Sequence, residues 1–334
     1  MIEGKLRRYG LGLFAGALMV GVLVVKGGTA LSLPSSPPAS ASGAGTPVEL
    51  APVDVVIFAP HPDDETIGCA GVIQQAVAAG KKVRIVFSTL GDGYSLAAGM
   101  LLHKDESTLA QADFLALGRA RQQEAIDANR TLGVNPANLV FLGYPDGAFD
   151  RVAANTDGKP VVSPTTGRSS TYGPVVPDYH ASAHGQPASY TRAEALADLT
   201  EVLRQSHPSQ VYVTDRNDAH PDHKATYELV KAAVEASGYK GAFFTFVVHS
   251  GPPLDWPWPQ GATPQAPFQQ HTANGHTYPL GVPWPPNVRV PMTVAESVLK
   301  ANALAAHRSQ WNLPSDRGLL GAFVKSEEIF WTGR

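Results

Sequence analysis

The chain has 334 residues, 43% of them hydrophobic, a formal net charge of −3 and a single cysteine, Cys69. This length and apolar content suffice for a large buried core, which excludes a chain that is disordered throughout. The 26 basic residues are scattered rather than arranged in a stripe with aromatic residues, so we expect no nucleic-acid partner. A single cysteine excludes a framework of intrachain disulfides.

The N-terminus has the composition of an export segment. Three basic residues within positions 5–8 precede an uncharged apolar run of 17 residues at 9–25, an order typical of segments that direct export. The run is longer than a usual signal core of about 7–15 residues and lies at the lower limit of about 17–25 for a spanning helix. Residues 1–30 are therefore interpreted as a signal peptide cleaved after Ala30 or as a retained membrane anchor, and both alternatives stay open.

The next segment, 31–50, is rich in Pro, Ser, Ala and Gly. This composition builds no core and predicts a flexible linker between the membrane and a catalytic domain over 51–334. We therefore expect a protein that is secreted or tethered to the outer face of the cytoplasmic membrane, in contact with the membrane only through its N-terminal segment.

Short apolar runs alternate with helical stretches over most of the remaining chain. Strands are predicted at 53–59, 82–90, 138–144, 210–215 and 242–250, and helices at 66–80, 118–132, 191–206 and 224–237. The alternation predicts a single α/β domain with a Rossmann-like open, mostly parallel sheet and helices on both faces. Ligands of such sheets bind at the carboxyl ends of the strands. Two segments, 150–190 and 251–291, break the alternation and are interpreted as substrate-side loops.

The first predicted strand runs directly into the hexapeptide PHPDDE at 60–65. A histidine beside carboxylates is a ligand set for zinc, or for another divalent ion such as Fe²⁺. Adjacent carboxylates repel one another, and a bound cation is the simplest way to hold them together. The alternative is an ordinary surface turn with Glu65 in the first turn of a helix.

A second cluster, DAHPDH at 218–223, follows the predicted strand at 210–215. His220 and His223 are three residues apart and can face the same direction across one helical turn. Asp222 lies between them and can orient an imidazole. Two such clusters at strand ends of one sheet favour a metal site over two unrelated turns.

Together the two motifs resemble the PIG-L or LmbE-like zinc N-deacetylase family, whose hallmark is His-Pro-Asp-Asp-Glu paired with a downstream His-Pro-Asp-His. The similarity covers roughly 53–310 and extends to TLGDG at 89–93, RQQE at 121–124, LGYPDG at 142–147 and HRSQ at 307–310. The resemblance implies a zinc-dependent hydrolase that removes an N-acetyl or other N-acyl group from a small-molecule or polymeric amino-sugar substrate. It also implies His61, Asp64 and His223 as zinc ligands, with a fourth position open for water.

The resemblance further implies roles for residues around the metal. Asp63 would be the general base, and His220, oriented by Asp222, would stabilise the oxyanion or protonate the leaving amine. Arg121 is similar to the family's substrate-binding arginine. The alternative for Arg121 is a surface cation paired with Glu124 one helical turn away.

Other functions fit the sequence less well. A nucleotide-dependent enzyme is disfavoured because the acidic hexapeptide takes the place of a glycine-rich turn after the first strand. A zinc amidase acting on a larger acyl or conjugate amide remains an alternative, as does a non-catalytic metal- or sugar-binding protein. The presence of both Asp63 and His220 disfavours the non-catalytic alternative.

Several side chains carry weaker expectations. His249 is interpreted as a packing or surface residue rather than a residue at the mouth of the site, and His307 as a brace of the fold. Six aromatic residues offer stacking surfaces for sugar rings, although anchoring of the core is the simpler interpretation: Tyr144, Tyr172, Tyr179, Trp256, Trp258 and Trp284.

Overall fold

The computed structural model describes residues 49–252 and 255–333, all of which belong to one compact unit. The predicted export segment and residues 31–48 of the predicted linker lie outside these ranges. Within the described ranges, every helix is too short or too polar to cross a membrane.

Helices and strands alternate along most of the chain. In order, the elements are β1 (Val55–Ala59), α1 (Asp64–Ala78), β2 (Val83–Thr89), α2 (Ser95–Leu102), α3 (Gln111–Thr131), β3 (Leu139–Tyr144), α4 (Phe149–Ala154), α5 (Tyr179–His184), α6 (Arg192–Ser206), β4 (Gln210–Thr214), α7 (Pro221–Ser237), β5 (Ala242–Phe246), β6 (His271–Ala273), β7 (His276–Tyr278), β8 (Val288–Pro291), α8 (Val294–Ala306), α9 (Arg308–Trp311), α10 (Pro314–Ala322) and β9 (Glu327–Thr332). Short 3₁₀ helices at Glu106–Thr108 and Pro136–Asn138 flank α3.

Seven strands form the central sheet in the order β3-β2-β1-β4-β5-β9-β8. The five strands from β3 to β5 are parallel, whereas β9 and β8 add antiparallel pairings at one edge. The predicted Rossmann-like, mostly parallel sheet with helices on both faces is thereby confirmed. Strand order reverses between β1 and β4, and the loops that diverge there leave a crevice at the carboxyl ends of the strands.

The sheet is buried on both faces by two hydrophobic layers. Along β1, Val55, Ile57 and Ala59 pack into one layer, while Val56 and Phe58 pack into the other. This is why the strand is apolar throughout instead of alternating with polar residues, as expected for a parallel strand covered on both sides. The polar residues that follow β1 are thus confined to its carboxyl end.

The predicted strand at 242–250 ends earlier than expected, at Phe246. The backbone N–H groups of Val248 and His249 donate to the carboxylate of Asp218, at 2.8 and 3.0 Å, instead of to a neighbouring strand. This diversion of the backbone brings His249 to the crevice. The helix predicted at 118–132 begins earlier, at Gln111.

Candidate active site

The two predicted motifs lie side by side because their strands are neighbours. Residues 60–63 join β1 to α1, and residues 215–220 join β4 to α7, with His220 at the N-cap position. Since β1 and β4 are parallel and paired, both connections leave the same edge of the sheet. His61 and His223, 162 residues apart in the chain, therefore come into contact.

The three predicted metal ligands converge on one point. His61 Nδ1 lies 3.2 Å from Asp64 Oδ2 and 3.2 Å from His223 Nε2, and these last two atoms are 3.3 Å apart. Ligands about 2.0–2.1 Å from a tetrahedral zinc ion lie about 3.3 Å from one another. The triangle therefore has the dimensions of three corners of a zinc site.

Other donors surround this triangle. A ring nitrogen of His220 lies within 4.8 Å of ring nitrogens of both His61 and His223. Carboxylate oxygens of Asp146 and Asp222 lie within the same distance of a ring nitrogen of His61 and of each other. The contacts of Asp64 with both histidines, at 3.2 and 3.3 Å, are close to the spacing of about 3.3 Å expected between zinc ligands. The set with Asp64 is therefore the one that best matches the spacing of zinc ligands.

Carboxylates also face the far sides of the two imidazole rings. His61 Nε2 lies 3.2 Å from Asp146 Oδ1 and 3.5 Å from Asp222 Oδ2. His223 Nδ1 lies 3.2 Å from Asp218 Oδ2. Carboxylates in this position orient metal-binding imidazoles and make them better donors. The site is thus an inner triangle of ligands held by an outer group of acids.

Electrostatics at the cluster favour a positive charge at its centre. Burial lowers the pKa of His223, but the carboxylates of Asp218 and Asp64 outweigh burial and raise it to about 10. Burial likewise lowers the pKa of His61, and hydrogen bonds to carboxylates, Asp146 foremost, raise it well above its usual value. Since metal ligands bind in their deprotonated forms, a divalent cation would take the place of these protons.

Asp63 adopts a backbone conformation that few residues other than glycine tolerate, with φ 151° and ψ −30°. Its N–H donates to Glu65 Oε2 at 3.0 Å. Glu65 is fully buried and also accepts hydrogen bonds from Thr66 Oγ1 and Asn129 Nδ2. Strained backbone of this kind persists only where its surroundings enforce it, and it concentrates at functional sites. Here it places the carboxylate of Asp63 in the wall of the pocket.

A glutamine and an arginine hold the Asp63 carboxylate. Gln310 Nε2 donates to Asp63 Oδ2 at 2.5 Å, and Gln310 Oε1 accepts from Arg121 Nη2 at 3.0 Å. Because arginine only donates, this second contact fixes which end of the amide faces Asp63. Burial, with a smaller effect of Asp64, raises the pKa of Asp63 to about 6 against the opposing effects of Arg121 and Gln310. That value suits a group that accepts a proton near neutral pH.

Arg121 is only 3% exposed and its guanidinium binds the protein. It donates to the carbonyl oxygens of Gly91 at 2.9 Å and Pro62 at 3.0 Å. Gly91 has φ 63°, and a Cβ there would collide with the guanidinium. Glu124, the alternative partner, accepts instead from the N–H and hydroxyl of Ser309. These contacts position the loops around the pocket, and because Arg121 also lines the pocket, its contact with substrate stays a prediction.

His220 contacts Asp222 differently from the expectation. Its Nδ1 accepts the backbone N–H of Asp222 at 3.2 Å, which leaves the proton of the neutral ring on Nε2. The Asp222 carboxylate points away, accepts the N–H groups of Gly147 and Phe149 at 2.7 and 3.0 Å, and faces His61. The prediction that this carboxylate orients His220 is corrected, because the backbone N–H makes that contact. Burial, reinforced by His61, lowers the pKa of His220 to about 3.

A pocket of about 330 Å³ opens over these groups. Tyr94 and Asp316 meet at its rim, where the tyrosine hydroxyl donates to the carboxylate at 3.1 Å. His249 also lines the pocket, contrary to its interpretation as a packing residue. Apolar side chains complete the wall: Ile67, Leu319 and Leu320.

Within the described ranges, the pocket lining includes no residue of 150–190 or 251–291, which were predicted to be substrate-side loops. Both segments instead contribute to the core, through Tyr172 of the first and Trp256 of the second. The hydroxyl of Tyr172 donates to Asp92, one residue before Gly93 in the pocket wall. These segments therefore support the site from behind.

Four residues of the site carried no assigned role in the sequence. Asp146 and Asp218 could have been found, because both are acids shortly after predicted strands. Tyr94 follows the second strand in the same way. Gln310 lies in the HRSQ motif that the family resemblance includes, but its contact with Asp63, across 247 positions of the chain, could not be predicted from spacing.

The chain is similar to known proteins in sequence and in fold. The family model described as PIG-L, GlcNAc-PI de-N-acetylase, matches residues 56–234, more than half of the chain. Of the solved structures, the N,N'-diacetylchitobiose deacetylase from Pyrococcus horikoshii is 21% identical, with 83% of this chain and 82% of that chain covered and a TM-score of 0.47.

The curated relatives include two 1D-myo-inositol 2-acetamido-2-deoxy-alpha-D-glucopyranoside deacetylases. The one from Mycobacterium sp. (strain KMS) is 30% identical over 206 residues, which cover 60% of this chain and 56% of the relative. The one from Kribbella flavida is 30% identical over 187 residues, 53% of each chain. The chain thus spans little more than half the length of the curated relatives it matches. On the match to the family model, which includes both His/Asp motifs, the chain belongs to the PIG-L family of GlcNAc-PI de-N-acetylases.

Proposed function

We propose that this protein is a zinc-dependent hydrolase that removes an N-acetyl group, or another N-acyl group, from an amino-sugar substrate. The observation that carries the proposal is the triangle of His61, Asp64 and His223, with the held carboxylate of Asp63 beside it in one pocket. Family membership and the names of the curated relatives support the same reaction class.

The donor set fits zinc, since two imidazoles and one carboxylate at this spacing are typical of catalytic zinc sites. His61, Asp64 and His223 would hold the ion. When bound, zinc supplies Lewis-acid polarisation of the amide carbonyl and lowers the pKa of water toward about 7. Fe²⁺ binding by the same ligands is an alternative that the donor types allow.

Asp63 is suited to accept the proton of the attacking water. Gln310 holds one of its oxygens at 2.5 Å, and Arg121 lies 3.6 Å from the other. In the hydrolysis, a bond forms between the water oxygen and the acyl carbon, the carbon–nitrogen bond breaks, and the proton taken by Asp63 ends on the departing amine. A carboxylate fixed in one orientation serves both transfers without reorganisation.

His220 is suited to act on the other side of the amide. With Nδ1 occupied by the backbone N–H of Asp222, its Nε2–H is free to donate to the acyl oxygen as negative charge develops there. A neutral imidazole in this place stabilises the oxyanion by a hydrogen bond. Among the roles that the resemblance implied for His220, this geometry favours stabilisation of the oxyanion.

The proposal is tested with the purified full-length chain, reloaded with zinc and assayed for acetate release. The substrates are N-acetylglucosamine, its inositol glycoside and N,N'-diacetylchitobiose, chosen because relatives are named for such compounds. We expect acetate from at least one of them, released about 10²–10⁴-fold more slowly by Asp63→Asn. If none releases acetate while longer N-acyl amides are cleaved, the enzyme is instead an amidase for larger acyl groups. If zinc-loaded protein cleaves neither class, the hydrolase proposal is rejected.

We also propose that the protein is exported, supported by the basic and apolar order of residues 1–30. It would be secreted if this segment is cleaved and held at the outer face of the cytoplasmic membrane if it is retained. Fractionation of expressing cells, with mass spectrometry of the N-terminus, separates the two outcomes. Recovery of intact chain in the cytoplasmic fraction would contradict export.

A further inference from the structure

Two histidines of α5 face two carboxylates of α6, in a cluster that none of the roles above uses. His180 and His184 are four residues apart and Asp198 and Glu201 three apart, so each pair lies on one face of its helix. His180 Nδ1 lies 2.7 Å from Asp198 Oδ1, and His184 Nε2 lies 2.9 Å from Glu201 Oε2. The two imidazole centroids are 4.5 Å apart.

The cluster already has several properties of a metal site. Donor atoms of His180, His184 and Asp198 all lie within 4.8 Å of one another. Asp198 is 1% exposed, and its second oxygen accepts the hydroxyl of Tyr144 at 2.7 Å. Such a contact fixes a carboxylate in the orientation that a metal requires. The side chain of His184 is 38% exposed, which gives an ion a route from solvent.

We propose that His180, His184 and Asp198, with Glu201 as a fourth donor, form a second metal site for zinc or a similar ion such as Ni²⁺ or Cu²⁺. Imidazole and carboxylate together suit these ions, whereas Ca²⁺ and Mg²⁺ prefer oxygen ligands alone. Each imidazole now forms a hydrogen bond with a carboxylate, and a bound cation would take the place of the proton in each bond. Rotation of the exposed His184 would shorten the donor spacing toward the roughly 3.3 Å of a tetrahedral ion.

This site would act on stability rather than on the reaction. None of its four residues lines the catalytic pocket. α5 belongs to the 150–190 segment, whereas α6 packs against α7 beside the sheet. An ion shared by α5 and α6 would therefore fasten that segment to the domain, and would raise Tm by mass action in the folded state.

The test counts zinc bound to the full-length chain after chelator treatment, zinc addition and dialysis. We expect His184→Gln to bind one equivalent less than the unaltered protein and to lose part of its zinc-dependent rise in Tm. His276→Gln, a change of another exposed histidine, serves as the matched control and should lose neither. Because position 184 is exposed, the variant is expected to fold, and circular dichroism verifies this.

The catalytic site is separated from this count by Asp64→Ala. In that background one equivalent should remain, and adding His184→Gln should remove it. Equal zinc binding by His184→Gln and the unaltered protein, or loss of all zinc by Asp64→Ala alone, would overturn the second site. Neither result bears on the proposed hydrolase, which is judged by acetate release.

Discussion

Replacing Asp63 by Asn tests the general base with little disturbance of the fold. Asn is among the few residues other than glycine that tolerate positive φ, so the backbone at φ 151° is expected to persist. The side chain keeps its size, and its amide oxygen can still accept the hydrogen bond from Gln310. The three residues of the zinc triangle are unchanged, so zinc content should stay near that of the unaltered protein.

Loss of a general base lowers the rate by about 10²–10⁴-fold, equivalent to about 2.7–5.5 kcal/mol in the activation barrier. We expect this decrease in kcat, because Asn cannot accept the proton, with little change in KM, because the base acts in the transition state. Acetate release under saturating substrate gives kcat, and elemental analysis of the same sample gives zinc per chain.

The matched comparison is Asp64→Ala, which removes one of three zinc ligands. Zinc at the catalytic site should then fall to near zero, together with activity. The two neighbouring carboxylates are thus distinguished by metal content, even though both variants lose activity. An Asp63→Asn protein that lacks catalytic zinc, or that holds zinc and keeps full activity, would refute the assignment of Asp63 as base.

Three further experiments test the hydrogen bond that holds Asp63, a buried ion pair, and the dependence of stability on the metal. Gln310→Leu removes a hydrogen bond to a charged group, worth about 1.5–3 kcal/mol, and we expect kcat to fall about 10–100-fold at nearly constant KM; an unchanged kcat in steady-state assays would show that Asp63 needs no such partner. Lys300→Met leaves the buried carboxylate of Glu328, now 2.8 Å from the ammonium, without its counter-charge, and urea denaturation should show a loss of about 3–5 kcal/mol in the free energy of unfolding. A loss below about 1 kcal/mol would contradict a buried ion pair on which the fold depends. Removal of zinc by a chelator should lower Tm and zinc addition should restore it, whereas identical thermal scans with and without metal would contradict a zinc site in the folded protein.

The order of strands and helices could be predicted because the parallel strands are apolar on both faces. The same pattern located the proposed metal ligands, since His61 and Asp64 follow β1 and His223 follows β4. Asp146 and Asp218 also follow predicted strands, and their carboxylates face the far sides of the imidazole rings of His61 and His223. A search for acids shortly after each predicted strand would have found both.

Side-chain direction could not be predicted from spacing. Asp222 lies next to His220 and His223 in sequence, yet its carboxylate binds loop N–H groups after β3 and faces His61. A residue in the first turn of a helix can point back over the preceding loops, and the sequence does not say which loop will be there. His249 reached the pocket for a related reason, because Asp218 draws its backbone out of the sheet.

The family match includes only part of the pocket. The family match over residues 56–234 contains the triangle of proposed zinc ligands, the proposed base Asp63 and His220. Gln310 and the rim residues of α10, Asp316 to Leu320, lie beyond it. In the proposed reaction the amide binds beside the triangle, and Tyr94 and α10, joined by the hydrogen bond from Tyr94 to Asp316, form one side of the pocket above it. For the proposed hydrolase we therefore infer that the loops after β1 and β4 carry the reaction, whereas α10 contributes to the choice of substrate.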